Sequence, residues 1–414
     1  MSDAPHPNNL PLQATPFIGR EREIAEVLDL LHQPHVRLLT LTGPGGTGKT
    51  RLSLEVSAQA LPDYPDGVFF VALENITDPN LVIPTVTQAL GVSKVGGQSQ
   101  LDTLKGHLSS KQLLLVLDNF EQVIAAASEV AELLKAAPQL RVLTSSRVSL
   151  GVYGEQEYPV PPLDLPDLKH LPPAEQLEQY TAIALFTQRA RAAKPSFVIS
   201  AENATAVAEI CVHLDGLPLA IELTAARIKL LTPQAIAARL SGQQGQSALQ
   251  MLTGGARNLP ARQQTLRNLI DWSYNLLEGS DKALFARLAV FMGGCTIEAV
   301  EAVCNADTGL DVLGGMESLV EKSLLRQTDG LDGESRFTML TTIREYALDQ
   351  LREREELDLM LAQHAEYYMH LVAQAGPQLT GADQATWLVR LEADYDNIRA
   401  ALGWLLAHQP DLAI

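Results

Sequence analysis

A glycine-rich segment near the N-terminus constrains the fold of this chain more than any other stretch. The sequence GPGGTGKT spans Gly43–Thr50, follows the apolar run 36–42 and precedes the helix-like stretch 51–58. This order of strand, glycine loop and helix fits the pattern G-x-x-x-x-G-K-[ST], in which backbone N–H groups surround phosphate oxygens. Lys49 can reach the β- and γ-phosphates, and the Thr50 hydroxyl can ligate Mg²⁺. The motif therefore predicts a nucleoside triphosphate site early in an α/β domain.

The size and the charge of the chain narrow the alternatives. With 414 residues, 46% of them apolar, the chain is long enough for about two to four helix-rich domains. Its formal charge of −18 argues against a surface built mainly to hold nucleic acid. The three cysteines form no C-x-x-C pair, which favours a reducing compartment. Because the sequence also shows no apolar run long enough for a membrane span or a signal peptide, we expect a cytoplasmic protein without membrane contact.

Three further apolar runs predict the rest of a sheet. They cover 67–73, 112–118 and 140–146, and helical patterns lie between them at 81–90 and 121–136. Continuous rather than alternating apolarity is typical of parallel strands that are covered by helices on both faces. The C-terminal ends of such strands surround the phosphate loop. The predicted fold class is thus an α/β P-loop NTPase domain.

Two of these strand ends carry candidate functional residues. Asp118 ends the run 113–118 and is predicted to hold Mg²⁺ together with Thr50. Asn119 stands where many ATPases place a carboxylate that polarises water, and Glu121, the nearest acid, can equally well begin the next helix. Arg147 follows the run 140–146 and is expected to sense the γ-phosphate, unless it is only a surface arginine. Hydrolysis is therefore predicted to be weak.

The segment before the first strand is the candidate base side of the site. Residues 1–16 are rich in proline and are predicted to be a disordered lead-in. Phe17 and Ile18 can pack on a purine, and Arg20 can stack or bond at its edge. The other reading of Phe17 and Ile18 is a hydrophobic staple before the helix that covers 24–31.

Several further motifs follow one another in a linked order. They are Phe17–Glu23, Gly43–Thr50, Leu113–Glu121, Thr144–Arg147, Leu214–Glu222, Leu259–Arg267, Asp271–Tyr274, Arg336–Leu340, Ile343–Tyr346 and Leu391–Arg399. In this order the chain resembles the AP-ATPase (NB-ARC) branch of the STAND signal-transduction ATPases, in particular the bacterial LuxR- and AfsR-type ATP-dependent regulators. The resemblance covers almost the whole chain and is more specific than any single motif.

The resemblance implies a layout in five parts. After the lead-in 1–16, these are a P-loop domain at 17–165, a small helical domain at 166–255, a winged-helix domain at 256–345 and the start of a tetratricopeptide-like helical arm at 346–414. It implies a molecular switch that is monomeric when ADP is bound. Binding of an inducer to the repeats would then allow ADP to be exchanged for ATP, and the ATP-bound form would assemble into homo-oligomers. It also implies further repeats and an effector beyond the last residue. We expect ATP/ADP and Mg²⁺ as cofactors.

The candidate site residues combine the motif with the resemblance. The expected nucleotide contacts are Phe17, Ile18, Arg20, Gly43, Gly45, Gly46, Thr47, Gly48, Lys49, Thr50, Arg51 and Pro218. Pro218 comes from the resemblance, which places this proline against the base. Lys49, Asp118 and Arg147 are the candidate catalytic residues, and Thr50 and Asp118 the metal ligands. Where relatives carry Met-His-Asp or Met-Leu-Glu, this chain has Met339-Leu-Thr341, so no histidine contact to the β-phosphate is expected.

Two other functions were weighed against the switch. A remodelling ATPase with sustained turnover is disfavoured by Asn119 and by the lack of an evident arginine finger in the sequence. A DNA-binding regulator needs a basic recognition helix, but the candidate stretch Asp311–Arg326 carries three acidic residues, Asp311, Glu317 and Glu321, against two basic ones, Lys322 and Arg326. We therefore expect DNA contact only through a domain that this sequence does not contain.

Overall fold

The computed structural model describes residues 6–74, 76–93, 97–241, 266–305, 309–330, 334–381 and 384–409. Residues 1–5 of the predicted lead-in and residues 259–265 of the Leu259–Arg267 motif lie outside these ranges. The chain divides into two compact units. The first comprises Met1–Asp167, Glu175–Gln188 and Leu217–Leu219. The second comprises Leu168–Ala174, Arg189–Gly216 and Ala220–Ile414.

The first unit is built on a five-stranded parallel sheet in the order β2-β3-β4-β1-β5. Its strands are β1 (Leu38–Thr42), β2 (Val68–Ala72), β3 (Leu114–Asp118), β4 (Arg141–Ser145) and β5 (Glu155–Pro159). Its helices are α1 (Glu21–His32), α2 (Lys49–Ala60), α3 (Val82–Ala89), α4 (Gln100–Leu108) and α5 (Ala127–Ala136). The α/β class predicted from the sequence is confirmed.

Both faces of the sheet are buried, which explains the continuous apolar runs. Leu115 and Leu117 of β3 pack into the core with α3, α4 and α5, whereas their neighbours Leu114 and Val116 pack into the core with α1 and α2. All four side chains are fully buried. Alternate residues of one strand therefore serve opposite cores, as expected for a parallel sheet between two helical layers.

Two parts of the first unit differ from the sequence-based expectation. The strand β5 has the polar sequence EQEYP and lies at the sheet edge, so the search for apolar runs did not find it. Residues 6–9 of the expected disordered lead-in run beside β2. Asn8 forms a parallel bridge with Val68, and the Asn9 side chain bonds both backbone groups of Phe70. These contacts cover the other edge of the sheet.

The second unit is mainly helical. Its first helices are α6 (Thr181–Ala193), α7 (Ala204–His213), α8 (Pro218–Ala225), α9 (Pro233–Leu240), α10 (Leu266–Asn275), α11 (Gly279–Arg287), α12 (Ile297–Cys304) and α13 (Val312–Glu321). Two of these helices, α6 and α8, begin in the first unit and end in the second. A hairpin of β6 (Arg326–Asp329) and β7 (Ser335–Thr338) follows. The last helices are α14 (Thr341–Glu353), α15 (Leu357–Gln378), α16 (Gln384–Ala393) and α17 (Tyr395–His408).

Helices α11 to α13 and the hairpin form the winged-helix part of this unit. A Cβ atom added to Gly315 of α13 would lie 2.6 Å from a methyl group of Leu284 in α11. The absence of a side chain at Gly315 thus lets the two helices approach closely. The residue Cys295 forms an antiparallel bridge with Phe337 of β7 and extends the hairpin. No helix in the described residues is both long and apolar enough to cross a membrane.

The helical arm joins the winged-helix part through buried polar groups. Arg336 of β7 donates to Asp394, with 2.7 Å between Nη2 and Oδ1, and both side chains are buried. Asn397 of α17 accepts from the backbone N–H of Met292 and donates to the carbonyl of Gly294. The motif Leu391–Arg399, which carried part of the family resemblance, therefore has a structural role in this junction.

Candidate nucleotide-binding site

The phosphate loop connects β1 to α2 and depends on glycine backbone conformations. Gly43, Gly46 and Gly48 have φ values of 134°, 84° and 89°, a region that side chains with a Cβ rarely adopt. A Cβ added to Gly43 would also approach the carbonyl oxygen of Val160 to 3.2 Å. Because α2 begins at Lys49, the loop ends at a helix N-terminus, where the helix dipole favours anions.

The Lys49 side chain folds back over the loop. Its Nζ donates to the carbonyl oxygens of Gly43 at 2.6 Å and of Pro44 at 2.9 Å. Burial lowers the pKa of Lys49 to about 8, although the nearby carboxylates of Glu121 and Asp118 raise it. The hydrogen bonds of this buried ammonium go to neutral carbonyl oxygens, and the two carboxylates offset only part of the cost of burial. Phosphate oxygens at the loop would supply the missing negative charge.

The Asp118 carboxylate is held by three neighbours. Oδ1 accepts from the hydroxyls of Thr50, at 2.8 Å, and of Ser145, and Oδ2 accepts from the side-chain amide of Asn119 at 2.8 Å. Burial raises the pKa of Asp118, and the hydrogen bonds from Ser145 and Thr50 oppose that shift. The structure thus brings Thr50 and Asp118 together as predicted for a shared metal site, and it adds Ser145, which the sequence analysis did not single out.

The donor set at Thr50 and Asp118 fits magnesium. A hydroxyl and a carboxylate are the hard oxygen ligands that Mg²⁺ prefers, and it usually takes only one or two protein ligands beside phosphates and water. Within the described ranges, no three His, Cys, Asp or Glu residues cluster as a metal site made by protein groups alone. The site therefore suits a metal that arrives with a nucleotide.

Arg147 lies in the same cluster of charges. It follows β4 and its side chain is 5% exposed, and Nε lies 3.5 Å from Oε1 of Glu121, whose side chain is 4% exposed. Glu121 occupies a short turn after β3, which Asn119 opens with a left-handed backbone, φ 62°. Sequence reasoning treated Glu121 as a possible helix start. The structure instead makes it a buried carboxylate beside Lys49, Asp118 and Arg147.

The predicted base-side residues have fixed partners in the protein. Nη2 of Arg20 donates to the carbonyl oxygens of Thr47, at 2.7 Å, and Pro161, at 2.8 Å, so Arg20 ties the phosphate loop to the chain after β5. The guanidinium of Arg51 lies over the ring of Phe17, 5.7 Å from its centroid. Ile18, like Phe17, is partly buried.

Pro218 lies against the phosphate loop. The backbone N–H of Leu219 donates to the carbonyl oxygen of Gly46 at 3.3 Å, and a Cβ added to Gly48 would meet Cγ of Pro218 at 3.8 Å. The contact of Pro218 with the base, which the resemblance implied, stays a prediction. The turn Leu217–Leu219 accordingly belongs to the first unit.

Comparison with known proteins places these features in a family. An AAA domain model matches residues 33–157, and a winged helix-turn-helix domain model matches residues 277–352. The uncharacterized protein Rv0894 of Mycobacterium tuberculosis is 37% identical over 357 residues, which are 85% of this chain and 86% of that protein. The regulatory protein AfsR of Streptomyces griseus is 25% identical over 386 residues, which are 89% of this chain and 36% of AfsR. The chain belongs to the AfsR-type STAND P-loop ATPases.

Other relatives of this STAND ATPase are longer. A Mycobacterium tuberculosis protein provisionally named HTH-type transcriptional regulator Rv0890c is 39% identical over 372 residues, and the chain spans 40% of its length. Among solved structures, the STAND protein with a tetratricopeptide repeat sensor from Pyrococcus horikoshii is 15% identical with a TM-score of 0.31, over 96% of this chain and 54% of that one. That score is too low to add to the assignment.

Proposed function

We propose that this STAND ATPase is a nucleotide-operated switch that rests with ADP and is activated by exchange for ATP. One observation carries the proposal. The proposed magnesium ligands Thr50 and Asp118 are in contact, whereas Asn119, rather than a carboxylate, follows Asp118, and its amide donates to Asp118. A site equipped to hold a nucleotide but poorly equipped to hydrolyse it suits a switch better than a motor.

The proposed roles follow from the contacts. Lys49 and the loop N–H groups hold the phosphates, and Thr50 and Asp118 hold the metal, which would neutralise phosphate charge when it is bound. Arg147 responds to the γ-phosphate. Pro218, bonded through Leu219 to the phosphate loop, transmits the state of the nucleotide to the helical domain. The base contacts of Phe17, Ile18 and Arg20 remain part of the proposal, as does that of Arg51.

The partners are proposed by analogy with the family. An inducer, either a small molecule or a protein, engages the helical arm and allows ADP release, ATP binding and assembly of copies of the chain. The names of the relatives support an output in the regulation of transcription. The chain matches 40% of Rv0890c and 36% of AfsR, so the proposal draws only on the portion that these relatives share with it.

Titration calorimetry with ADP and with ATP tests this function. Lys49→Ala should abolish or strongly weaken both affinities, because each lost charge-assisted contact is worth about 1.5–3 kcal/mol. Lys111→Ala is the matched control, since Lys111 pairs with Asp66 in a partly exposed bridge of the same unit. Unchanged affinity in Lys49→Ala would remove the central claim.

The second candidate is an ATPase that remodels other molecules with sustained turnover. The AAA domain match favours this class in general terms. It predicts rapid multiple turnover that Asp118→Ala abolishes, whereas the switch predicts slow hydrolysis. A steady-state assay of phosphate release separates the two.

A further inference from the structure

The buried carboxylate of Glu121 differs from that of Asp118 in having one oxygen that accepts no hydrogen bond from the described residues. Oε1 pairs with Arg147 at 3.5 Å, while Oε2 is buried and accepts no hydrogen bond from any described residue. Both oxygens of Asp118, by contrast, accept hydrogen bonds from protein groups. A buried carboxylate oxygen without a donor is unfavourable, so its retention calls for a functional reason.

Glu121 also occupies the electrostatic position of a phosphate. Among the charges that act on Lys49, the Glu121 carboxylate has the largest effect in favour of the protonated amine, ahead of Asp118, and Arg147 acts in the opposite sense. A negative group that faces both a phosphate-loop lysine and the sensor arginine stands in for the negative charge of a nucleotide. Both side chains are buried, so the Glu121 carboxylate and a phosphate would repel each other strongly. They cannot both form a close ion pair with Arg147.

The pair is also loose. A well-formed charge-assisted hydrogen bond has about 2.7–2.9 Å between nitrogen and oxygen, whereas Nε and Oε1 stand 3.5 Å apart. Separation of the pair leaves the buried carboxylate of Glu121 uncompensated unless a new partner replaces Arg147. A γ-phosphate can replace Glu121 as the partner of Arg147, and a water molecule drawn in by the nucleotide can satisfy the released carboxylate.

We propose that Glu121 sets the nucleotide preference of the switch by competing with the γ-phosphate for Arg147. With ADP, Arg147 stays on Glu121. With ATP, the γ-phosphate must displace Glu121 from Arg147. The cost of separating that ion pair offsets part of the binding free energy gained from the γ-phosphate. Glu121 is thus a specificity-determining residue that lowers the preference for ATP over ADP. This inference rests on the nucleotide-binding function proposed above.

The test compares the ratio of the dissociation constants for ADP and for a non-hydrolysable ATP analogue, measured by calorimetry with Mg²⁺ on the full chain. Glu121→Gln should shift the ratio toward the analogue by about tenfold, within the usual range for coupled sites. Glu55→Gln is the charge-matched control, because Glu55 lies on α2 and its side chain accepts only from the exposed Gln59 in the described contacts. That control should leave the ratio unchanged.

A double-mutant cycle distinguishes competition for the arginine from simple repulsion of the phosphates. In the Arg147→Ala background, Glu121→Gln should no longer shift the ratio. If the shift persists at full size there, or is absent in the Arg147-containing protein, the competition is refuted. Glu121→Asp, which shortens the side chain by one methylene, serves as a second variant should the glutamine protein fold poorly, and it should move the ratio in the same direction.

If the unmodified chain binds neither nucleotide, the proposed function itself is wrong and the inference falls with it. If it binds both and the Glu121 variants keep its ratio, the switch survives and only the role of Glu121 is refuted.

Discussion

Asp215 accepts a hydrogen bond from the backbone N–H of Thr342, with 3.2 Å between Oδ2 and N. Thr342 lies in the first turn of α14, and its buried hydroxyl is 3.4 Å from the same oxygen. Burial raises the pKa of Asp215, while bonds from Thr341 and Thr342 lower it. The aspartate of the Leu214–Glu222 motif thus caps the helix that follows Met339-Leu-Thr341. A carboxylate is therefore present at this junction although position 341 carries threonine, where the resemblance led us to expect an acid.

The cap predicts a measurable contribution to stability. Asp215→Gly should destabilise the second unit by about 1–2 kcal/mol, because the helix loses an N-terminal acceptor. Glycine accepts the left-handed backbone that Asp215 adopts at φ 53°, so backbone strain does not confuse the result. Asp215→Asn, which keeps an acceptor and tolerates the same backbone, is the control.

Urea unfolding followed by tryptophan fluorescence suits this comparison. The three tryptophans, Trp272, Trp387 and Trp404, all belong to the second unit, so the signal reports on that unit alone. Equal stability of the glycine and asparagine variants would contradict the capping role.

Hydrolysis of ATP should be slow, well below the median enzyme turnover of about 10 s⁻¹. Asn119 has no carboxylate with which to activate water, and Glu121 is paired with Arg147. A phosphate-release assay over many turnovers measures the rate, with Asp118→Ala as the background. Robust turnover that this variant abolishes would favour the remodelling ATPase.

The chain should not bind duplex DNA at physiological salt through its winged-helix part. The exposed residues at and around α13 include Asp311, Glu317 and Glu321, together with the apolar Leu313. Such a face cannot neutralise several phosphates, which supply most of the affinity for DNA. Fluorescence anisotropy with labelled duplex tests this, and micromolar, salt-sensitive binding would contradict it. Reversal of charge in Glu317→Lys with Glu321→Lys should create weak binding that falls with added salt.

The junction between the winged-helix part and the arm should weaken in mild acid. Burial lowers the pKa of His364 to about 4, despite its hydrogen bond with Asn397. The folded state therefore resists protonation of a ring that protonates near pH 6.5 when unfolded. The contribution of neutral His364 to the free energy of unfolding is therefore complete above about pH 6.5. It is lost as the pH falls toward 4, and about 2 kcal/mol of it is lost at pH 5.

Comparison of the unmodified chain with His364→Gln isolates this effect. Glutamine can still donate to Asn397 but does not titrate, so the difference between the two proteins in unfolding free energy should change by about 2 kcal/mol between pH 7 and pH 5. Tryptophan fluorescence again provides the signal. A difference that does not vary with pH would assign the acid sensitivity to other groups.

Much of the first unit could be predicted from the sequence because its strands are buried on both faces. The runs 112–118 and 140–146 differ from β3 and β4 by two residues at most. Strand β5 could not be predicted in this way, since an edge strand exposes polar side chains and loses the apolar signal. The role proposed for Pro218 rests on the family resemblance, because a proline turn alone indicates only a break between helices. The sequence did not predict the pair of Glu121 with Arg147 or that of Asp215 with Thr342, because each joins segments that are far apart in the sequence.

Activation of the proposed switch should need more than the exchange of ADP for ATP. Inversion of a two-state population from 1:99 to 99:1 needs about 5.5 kcal/mol of differential affinity. In the proposed switch, the contact with Arg147 is the one γ-phosphate contact that is specific to the triphosphate, and a charge-assisted hydrogen bond contributes about 1.5–3 kcal/mol. Part of that gain is offset if Arg147 must leave Glu121, with which it pairs at 3.5 Å.

ATP alone therefore falls short, and we expect a second signal on the helical arm to be required. Small-angle scattering on the chain with ADP and with a non-hydrolysable ATP analogue should give the same radius of gyration and the same molecular mass. If the analogue alone produces an extended or oligomeric species, the requirement for two signals fails. Arg147→Ala would then show whether the sensor arginine is the sole trigger, since loss of the response in that variant would assign the whole change to the γ-phosphate contact.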